Sequence, residues 1–480
     1  MSASLVPGRT VRSRADVVVE RLPALDNARP MDVAERLRAL GGLALLESAR
    51  PGRAGRWSFL TAEPVLVSGV ADGPDPFADA RRALRRLAPG PVAGPVGGRV
   101  GGPVAAPVPP FLGGLVGYLG YDLGRRLERL PTIARIDQHL PDLRLALHPW
   151  VIAWDGRDGS AWIGGRTLDG DALDLARRLD RVLATLDARV PTLPVSLPEL
   201  GELGFRSDTP HDEWVRQVEA VRDAIAAGEL YQANLTRRLT TPFVGDPWPL
   251  FRLLRTGEPA AFSAFVELGD GRAILSASPE PFLALDPFGR VRTDPIKGTR
   301  PRGRTRDDDR RLAGELLASA KDRAENTMIV DVLRNDLGRV SLPGSVRVPR
   351  LWRLERTPSV QHLVSTVTAT LRPGCDAFDL LRASFPGGSI TGAPKIRAME
   401  LIESLEPVRR GPYTGALGWI GADGAMGTSI LIRTLVADGR RLTLHVGGGI
   451  THRSDPEEEW IETVVKARGP LGAIGAREVD

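Results

Sequence analysis

Lysine is almost absent from this chain of 480 residues, although positive charge is not. Lysine and arginine together number 64, and only four of them are lysines: Lys297, Lys321, Lys395 and Lys466. A guanidinium stays protonated and cannot act as an amine nucleophile, whereas the surroundings of a lysine can lower its pKa. Because arginine meets nearly every ordinary need for positive charge, each lysine is a candidate for chemistry, beginning with Lys297 in TDPIKGTRPRG.

Cysteine and long hydrophobic runs are also scarce. The single cysteine, Cys375, excludes an internal disulfide and is typical of a reducing compartment. No apolar run approaches the roughly 18 to 20 residues of a membrane span, and the N-terminus has no signal-peptide pattern. We therefore expect a cytoplasmic protein with no membrane partner.

The excess of positive charge is too small to indicate a nucleic-acid partner. The net charge is +5 with a pI near 9.7, and the arginines are interspersed with acids. The ladder RRALRRL, residues 81–87, is typical of the solvated face of an amphipathic helix. We therefore expect no nucleic-acid binding.

Two segments rich in proline divide the chain. Residues 88–110 are nearly all Pro, Gly, Ala and Val, which predicts a surface insertion, and a second Pro-rich link covers residues 191–200. We expect an N-terminal region over residues 12–190 and a catalytic region over residues 205–470. Periodicity predicts helices and strands in both regions, whereas the closely spaced glycines of FLGGLVGYLGYD predict tightly packed backbone.

The helix predicted over AENTMIVDVLRNDLG carries a carboxylate on its apolar face. Its stripe consists of Met328, Ile329, Val332 and Leu333, and Glu325 precedes the first two by three and four residues. A carboxylate that faces a core needs a hydrogen-bond partner, a counter-ion or a metal. From this helix alone, a buried salt bridge to an arginine is the simpler alternative.

A second acidic helix is predicted to begin at Asp455, an N-cap residue followed by Pro456 at the first helical position. Glu459, Glu462 and Lys466 then fall along one face of it. The simpler alternative is an ordinary surface pair between Glu462 and Lys466. The scarcity of lysine and the nearby HVGGGI favour a functional site.

Together, Glu325, Glu459 and Glu462 form an oxygen-only set suited to Mg²⁺. Zinc is excluded because the six histidines and the one cysteine show no ligand spacing. The stretch FPGGSITGAPK lacks the Gly-Lys-Ser/Thr ending of a Walker phosphate loop.

Two further features suit an anionic ligand. Arg433 is predicted in the middle of a strand, SILIRTLVA, with its side chain inward and a bidentate carboxylate partner in the protein or in a ligand. Gly447, Gly448 and Gly449 allow a small anion to approach backbone N–H groups closely. These residues alone predict a Mg²⁺-dependent enzyme that acts on a small carboxylated substrate.

Long motifs run along most of the chain: FLGGLVGYLGYD, GELYQANLTRR, SASPEPFL, DPIKGTRPRG, KDRAENTMIVDVLRNDLGRV, QHLVSTV, FPGGSITGAPKIRAMELIESLEP, ILIRTL, GGGI and DPEEEWIET. Taken together, they resemble the chorismate-utilising enzymes, and within that family the branch of aminodeoxychorismate synthase component I. The resemblance implies an α+β fold of the anthranilate synthase component I type, with two antiparallel sheets packed as a sandwich and helices outside. It also implies that the N-terminal region contributes to that same body.

The resemblance gives Lys297 a specific role. Anthranilate and isochorismate synthases of the family typically read PIAGT where this chain reads PIKGT. The implied mechanism uses the lysine amine as a nucleophile on C2 of chorismate with loss of the C4 hydroxyl, after which ammonia adds at C4 and expels the lysine. The product is 4-amino-4-deoxychorismate, a precursor of p-aminobenzoate and folate. Glu280 matches the general acid for the departing hydroxyl.

The resemblance also assigns the other site residues. Glu325 and Glu462 are the implied principal Mg²⁺ ligands, with Glu459 in or near the shell, while His362 and Thr391 line the reacting face. Gln232 stands where water-using isochorismate synthases keep a catalytic lysine, which argues against water as the nucleophile. The residues implied to contact chorismate are Gly298, Thr299, Tyr413, Arg433, Gly447, Gly448, Gly449 and Lys466.

Two segments relate to regulation. LLES, residues 45–48, resembles the tryptophan pocket of feedback-regulated anthranilate synthases, but the companion Pro-Tyr-Ser reads Ala261-Phe262-Ser263, which argues against a regulatory tryptophan site.

Two single positions differ from motifs of the family. Pro281 replaces the usual arginine of Ser-Pro-Glu-Arg-Phe, and Asn326 replaces the histidine that anthranilate synthases usually have.

The chain is expected to need a separate glutaminase. The surroundings of Cys375, RPGCDAF, lack the nucleophile turn of a glutamine amidotransferase, so a separate subunit supplies ammonia. Three alternatives stay open: an anthranilate synthase component I, a specialised aminodeoxychorismate synthase of an antibiotic pathway, and an inactive scaffold homologue.

Overall fold

A computed structural model describes residues 15–50, 55–90, 108–188, 203–357 and 360–479. Within these residues the chain forms an α+β fold of two mostly antiparallel sheets and 11 helices, which confirms the expected fold class. Most of the Pro/Gly-rich segment and all of the second Pro-rich link lie outside the described residues. None of the described helices is both long and apolar enough to span a membrane.

The strands of the described chain are short to medium in length. In chain order they are β1 (Val17–Arg21), β2 (Ala44–Glu47), β3 (Trp57–Thr61), β4 (Leu66–Ser68), β5 (Gly114–Leu119), β6 (Leu143–His148), β7 (Trp150–Asp155), β8 (Ala161–Arg166), β9 (Gly204–Ser207), β10 (Gln232–Pro242), β11 (Phe262–Gly269), β12 (Arg272–Ser278), β13 (Pro281–Leu285), β14 (Arg290–Thr293), β15 (Ile296–Pro301), β16 (Arg347–Arg356), β17 (Val360–Thr370), β18 (Gly392–Ala393), β19 (Ala416–Gly421), β20 (Met426–Ile430), β21 (Thr434–Asp438), β22 (Arg441–Ile450) and β23 (Arg477–Glu478).

The helices range from one turn to five. In chain order they are α1 (Pro30–Leu37), α2 (Ala78–Leu84), α3 (Gly124–Leu127), α4 (Ala172–Asp187), α5 (His211–Ala226), α6 (Trp248–Gly257), α7 (Arg306–Ala318), α8 (Ala320–Gly338), α9 (Ala377–Ser384), α10 (Lys395–Leu405) and α11 (Pro456–Ala473).

Both sheets combine strands from early and late parts of the chain. The larger sheet has the order β1-β8-β7-β3-β2-β11-β12-β21-β22-β10-β9-β23, with β18 beside β10. The smaller sheet has the order β15-β17-β14-β13-β20-β19-β5-β6-β4, with β16 beside β17. Within the described ranges, β9 and β23 are the one parallel pair of strands. The division into regions 12–190 and 205–470 stays a prediction.

Apolar side chains pack in three layers around the sheets. Between the sheets, Tyr118 and Leu417 of the smaller sheet meet Ile274 and Val436 of the larger one. Helices α1, α4, α6 and α11 cover the outer face of the larger sheet, and α2, α8 and α9 cover that of the smaller sheet. Each fully buried leucine or isoleucine side chain contributes roughly 1.5–3 kcal/mol to folding. The sandwich with outer helices is therefore what holds the site elements in place.

The glycines of FLGGLVGYLGYD are required by close backbone packing, as predicted. A Cβ at Gly114 would lie 2.1 Å from the carbonyl oxygen of Ile420, and one at Gly117 would lie 1.9 Å from that of Arg144. Real Cβ atoms do not come this close to backbone, so β5 fits between its neighbours only as glycine-rich strand.

Aspartate side chains cap the starts of two helices. Asp171 accepts hydrogen bonds from the backbone N–H groups of Leu173 and Asp174 at the start of α4. Asp455 accepts from the backbone of Glu457 and Glu458 at the start of α11, with Pro456 at the first helical position, which confirms the predicted start. Carboxylates at this position satisfy otherwise unpaired donors, which is why the sequence alone located the start at Asp455.

The arginine ladder of residues 81–87 is only partly a solvated face. Arg81 lies on α2 and is mostly buried, with ion pairs to Asp75, Asp376 and Asp379. The partners come from a loop and from α9, far along the chain. Helical periodicity therefore placed the residue on a helix but did not show what covers it.

The stretch SILIRTLVA is not one strand, so the prediction that Arg433 lies in the middle of a strand was wrong. β20 ends at Ile430 in the smaller sheet, and β21 begins at Thr434 in the larger sheet. The chain crosses between the sheets here, and Arg433 adopts a left-handed φ of +49°. Leu431 stays in the core between the sheets, so the hydrophobic pattern runs through the crossing and conceals it.

Candidate active site

Lys297 and Glu280 meet at one residue, Ser389. Lys297 lies on β15, and its Nζ donates to the carbonyl oxygen of Ser389 at 3.4 Å. The hydroxyl of Ser389 donates to Oε1 of Glu280, just before β13, at 2.8 Å. Burial raises the pKa of Glu280, against the opposing effects of Lys297, the Ser389 hydrogen bond and Lys466. A lysine amine and a carboxyl group of raised pKa therefore contact the same residue.

The loop that carries Ser389 is FPGGSITGAPK, in which Thr391 is the predicted site residue. Thr391 is fully buried there, and its hydroxyl donates to the carbonyl oxygen of Gly387 at 2.9 Å. A Cβ at Gly388 would lie 2.7 Å from Cγ1 of Val332 on α8. The observed contacts of Thr391 thus shape the loop, and its catalytic role stays a prediction.

Gly298 and Thr299 follow Lys297 on β15 and fix its surroundings. Gly298 has a φ of +82°, and a Cβ there would lie 2.9 Å from Cβ of Asp322. The hydroxyl of Thr299 lies 3.0 Å from Nδ1 of His362, its partner across the ladder on β17. Glycine is thus the residue that both the backbone angle and the packing against α8 require beside Lys297.

His362 is held neutral. Burial lowers its pKa to about 4, with further lowering by Arg433 and Arg50. Arg433 is half exposed, and its Nη1 lies 3.4 Å from Oε2 of Glu258. Among the described residues Glu258 is thus a distant, single contact and not a bidentate partner of Arg433, and a carboxylate of a ligand stays the predicted partner.

The three predicted carboxylates lie on two helices. Burial raises the pKa of Glu325 on α8, with Lys297 and Lys321 opposing the rise. Burial likewise raises the pKa of Glu459 on α11, whose Oε1 accepts from the hydroxyl of Ser454 at 2.6 Å. Burial thus disfavours the charged form of these two carboxylates. A bound cation would favour the charged form again.

Glu462, the third of them, forms the pair that was the simpler alternative. Its Oε1 lies 2.6 Å from Nζ of Lys466, which also donates to the carbonyl oxygen of Gly447 at 2.8 Å. Burial by itself raises the pKa of Glu462, but Lys466, followed by Lys321 and Lys297, brings that pKa below its usual value. The pair and a ligand role are compatible, since both groups are about half exposed to the cleft.

Two of the carboxylates, those of Glu459 and Glu462, lie close to the backbone at Gly448, where any side chain would crowd them. A Cβ at Gly448 would lie 3.1 Å from Oε2 of Glu459, 3.4 Å from Oε1 of Glu462 and 3.8 Å from Nζ of Lys466. In the described parts of the chain, no three acidic, histidine or cysteine groups already form a metal-binding cluster. Mg²⁺ takes one or two carboxylates plus substrate and water oxygens, so this donor set fits the ion without a complete protein cage.

Three of the four lysines gather around these acids. The charges of Lys297 and Lys321 lower the pKa of Glu325, and the charges of Lys297, Lys321 and Lys466 lower the pKa of Glu462. The fourth, Lys395, is buried and donates to Asp336 at 2.7 Å. The scarcity of lysine therefore indicated Lys321 as a site residue as well, although no motif had given Lys321 a role.

The apolar stripe of α8 is rotated from the predicted one. Asn326, Ile329, Val330 and Leu333 are fully buried, whereas Met328 and Val332 are half-buried. Glu325 accordingly borders the cleft and does not face the core. No arginine forms a salt bridge with it within the described ranges, so the simpler alternative for Glu325 is not what the structure has.

The glycines of β22 pack tightly against β10. A Cβ at Gly447 would lie 2.2 Å from the carbonyl oxygen of Leu235, and one at Gly449 would lie 2.0 Å from Nε2 of Gln232. Gln232 is fully buried, and its Oε1 has no hydrogen-bond partner among the described groups. Gly447 and Gly449 therefore make room for atoms of β10. Gly448 is the one of the three that faces Glu459 and Glu462.

Tyr413 lies inside the body next to this strand. Its ring stacks on that of His445, with centroids 4.9 Å apart and an angle of 9° between planes. Burial raises the pKa of Tyr413, so the phenol keeps its proton. Tyr413 therefore contacts β22 at His445, two residues before the first of the three glycines.

A separate cavity of about 910 Å³ lies beside the site. It is lined by Leu46, Glu47 and Ser48 and by residues 261–263, so the two segments compared for tryptophan binding do lie together. Pro281 also lines this cavity, whereas its neighbour Glu280 contacts Ser389. The replaced arginine position therefore belongs to the cavity side and not to the side of Lys297.

Comparison with known proteins shows the family of the chain. The model of the chorismate binding enzyme family matches residues 75–472. The chain is 45% identical over 358 residues to aminodeoxychorismate synthase component 1 of Salmonella typhimurium, covering 74% of this chain and 76% of that protein. It is 39% identical to anthranilate synthase component 1 of Streptomyces coelicolor, covering 90% and 84%. The chain belongs to the chorismate-binding enzyme family.

Solved structures show the same fold. Anthranilate synthase component I from Streptococcus pneumoniae superimposes with a TM-score of 0.74 at 29% identity, covering 88% of this chain and 93% of that one. The menaquinone-specific isochorismate synthase of Escherichia coli superimposes with a TM-score of 0.71 at 19% identity, covering 95% and 94%, which bears on the fold alone. The chain is thus a chorismate-utilising enzyme, and its relatives include proteins named as chorismate-aminating.

Proposed function

We propose that this enzyme replaces the C4 hydroxyl of chorismate by an amino group and releases 4-amino-4-deoxychorismate with the enolpyruvyl group retained. The observation that carries the proposal is the placement of the Lys297 amine and the Glu280 carboxyl group at Ser389. Relatives named aminodeoxychorismate synthase component 1, at 45% and 44% identity, support it.

Two exchanges of groups make up the reaction. A neutral Lys297 forms a bond to C2, the ring double bonds shift, and the C4–O bond breaks as Glu280 gives its proton to the departing oxygen, which leaves as water. Ammonia then bonds to C4, the double bonds shift back, and the bond from C2 to Lys297 breaks. The raised pKa of Glu280 suits the first exchange, because a proton donor must hold its proton to a higher pH than an exposed glutamate does.

Glu325, Glu459 and Glu462 are the residues that would hold Mg²⁺. When bound, the ion supplies a positive charge for a carboxylate of the substrate. The space above Gly448, bordered by two of these acids, and the acidic donor set support this role.

The remaining predicted residues are proposed to bind the substrate. Arg433 and Lys466 offer cations on the open side, and Thr299 and His362 lie beside Lys297. Further proposed contacts come from Gly298, Tyr413, Gly447, Gly448, Gly449 and Gln232, with Thr391 in the loop of Ser389. Gln232 has no group that could activate water, in keeping with ammonia as the nucleophile.

The ammonia is proposed to come from a separate glutaminase subunit, as the "component 1" names of the relatives suggest. Such an enzyme serves p-aminobenzoate and folate synthesis in the cytoplasm, and a single cysteine is consistent with that compartment. An anthranilate synthase is the second candidate, because relatives of that name cover more of this chain, 90% against 74%.

One assay separates the candidates. Purified protein is incubated with chorismate, Mg²⁺ and ammonium, and the products are identified by mass. We expect 4-amino-4-deoxychorismate without pyruvate. Anthranilate with released pyruvate would overturn the proposal, and no turnover at high ammonium would favour the inactive scaffold.

A further inference from the structure

Ser389 is the accessible member of an otherwise buried segment. Residues 383–388 and Ile390 are buried, whereas Ser389 is partly exposed toward the site. Both of its polar groups are used there, since the carbonyl oxygen accepts from Lys297 and the hydroxyl donates to Glu280. One residue thus touches both groups that the proposed reaction requires.

Buried side chains hold the backbone on either side of Ser389. The hydroxyl of Thr391 donates to the carbonyl oxygen of Gly387 at 2.9 Å, and Nη1 of Arg410 donates to that of Ile390 at 2.9 Å. Arg410 is itself fully buried and ion-paired with Glu406. These bonds fix the carbonyl groups that flank Ser389, so its own position is set by the protein interior.

A second anchor lies at the ends of the loop. Nζ of Lys395 donates to the carbonyl oxygen of Ser384 at 2.9 Å and to Oδ2 of Asp336 at 2.7 Å. Asp336 belongs to α8, the helix that also carries Glu325. The loop of Ser389 is therefore tied to the same helix as one of the proposed metal ligands.

We propose that Ser389 is a positioning residue for the amination reaction, an inference that rests on the proposed function. Its hydroxyl holds Oε1 of Glu280 as an acceptor, which leaves Oε2 to carry the proton that goes to the departing C4 oxygen. Its carbonyl oxygen binds one N–H of Lys297 and so turns the nitrogen lone pair toward C2 of the substrate. Ser389 itself exchanges no proton and forms no bond to the substrate.

The physical basis is the cost of misalignment. A nucleophile and an acid that must act in one step lose rate quickly when either rotates away, and neighbours with fixed hydrogen bonds prevent that rotation. A hydroxyl that donates to a carboxylate also stabilises its charged form. The charged groups that face Glu280 are Lys297 from β15 and Lys466 from α11, and both act in the same direction as the hydroxyl.

The test compares Ser389→Ala with Ser389→Thr. Alanine removes the hydroxyl and keeps the backbone carbonyl, whereas threonine keeps both. We expect Ser389→Ala to lower kcat about tenfold to a hundredfold, with the KM for chorismate within about twofold, and Ser389→Thr to recover most of the loss. The basic limb of the kcat profile moves up by about half to one pH unit in Ser389→Ala, because loss of the donor raises the pKa of Glu280 further.

Ser384→Ala is the matched control. Ser384 is a buried serine at the start of the same loop, and its hydroxyl has no hydrogen-bond partner in the described structure. Removing it should leave kcat and the pH profile as in the wild type. Thermal unfolding of each variant establishes that the fold is kept, and Ser389→Cys, with its weak donor, replaces Ser389→Ala if the alanine variant does not fold.

The outcomes separate this inference from the proposed function. A wild-type enzyme that forms 4-amino-4-deoxychorismate, together with an Ser389→Ala variant of unchanged kcat and pH profile, overturns the role of Ser389 alone. A threonine variant as slow as the alanine variant does the same, because the hydroxyl would then be irrelevant. A wild-type enzyme that releases anthranilate overturns both.

Discussion

Nζ of Lys466 lies 2.6 Å from Oε1 of Glu462, one turn earlier on the same helix. The lysine also donates to the carbonyl oxygen of Gly447 at 2.8 Å, so it joins α11 to the glycine-rich strand. Glu462 is a proposed ligand of Mg²⁺, so we expect the ammonium of Lys466 to compete with that ion. We also expect an anionic substrate that binds Lys466 to weaken this competition.

Replacing Lys466 by glutamine should tighten Mg²⁺ binding in the absence of chorismate. A half-exposed ion pair is worth about 0.2–1 kcal/mol, so the Kd for Mg²⁺ should fall by up to about fivefold. Titration calorimetry with Mg²⁺ alone measures this, and Arg468→Gln removes the same charge from an exposed position on the same helix as a control. Weaker Mg²⁺ binding by the Lys466 variant would contradict the competition.

Alanine at Gly448 and at Gly447 should have different effects. A Cβ at Gly448 enters the space between Glu459 and Glu462, so Gly448→Ala should keep the fold and weaken Mg²⁺ binding about tenfold. A Cβ at Gly447 meets the backbone of Leu235 at 2.2 Å, so Gly447→Ala should lower the thermal midpoint of unfolding. Equal effects of the two variants on Mg²⁺ affinity and on stability would argue against the proposed metal site.

Lys297 should tolerate neither alanine nor arginine. Arginine keeps the positive charge but lacks a nucleophilic amine, so both variants should lose amination at C4 by about a hundredfold or more. Mass analysis of the products from chorismate and ammonium measures the loss. If Lys297→Arg retained amination while Lys297→Ala did not, Lys297 would act through its charge and not as a nucleophile.

Glu280 should give the enzyme a basic limb in its pH profile. Burial raises the pKa of this group, so it keeps its proton at a higher pH than an exposed glutamate and loses it as the pH rises through that value. As a proton donor it then fails, so kcat should fall on the basic side. Glu280→Gln should lose that limb along with about a hundredfold or more of kcat. An unchanged basic limb in Glu280→Gln would assign it to another group.

Breaking the buried pair of Lys395 and Asp336 should destabilise the protein strongly. Removing one partner of a buried pair typically costs about 3–5 kcal/mol, because the other charge is left without compensation. Lys395→Met should therefore lower the free energy of unfolding measured in urea by about that amount. Arg310→Met, at an exposed pair with Asp307, should change it by less than about 0.5 kcal/mol. Similar small losses in both variants would mean that Lys395 does not anchor the loop.

The sequence was sufficient to predict those features that depend on interactions between residues near one another in the chain. Asp455 marked a helix start because a carboxylate there satisfies backbone donors a few residues on. The glycines of FLGGLVGYLGYD marked close packing because no other residue fits between neighbouring strands. The scarcity of lysine drew attention to Lys297, and long motifs indicated the family and with it the fold.

The sequence by itself thus determined the helix caps, the glycine-rich strands, the family and the set of acids. Only the tertiary structure decided how these groups meet. Ser389 joins Lys297 and Glu280 although they lie 92 and 109 residues away from it along the chain. Arg433 lies at a crossing between sheets, which no periodicity shows. Contacts of this kind depend on how strands pair and helices cover them, and that is fixed by packing of the whole chain rather than by any one segment.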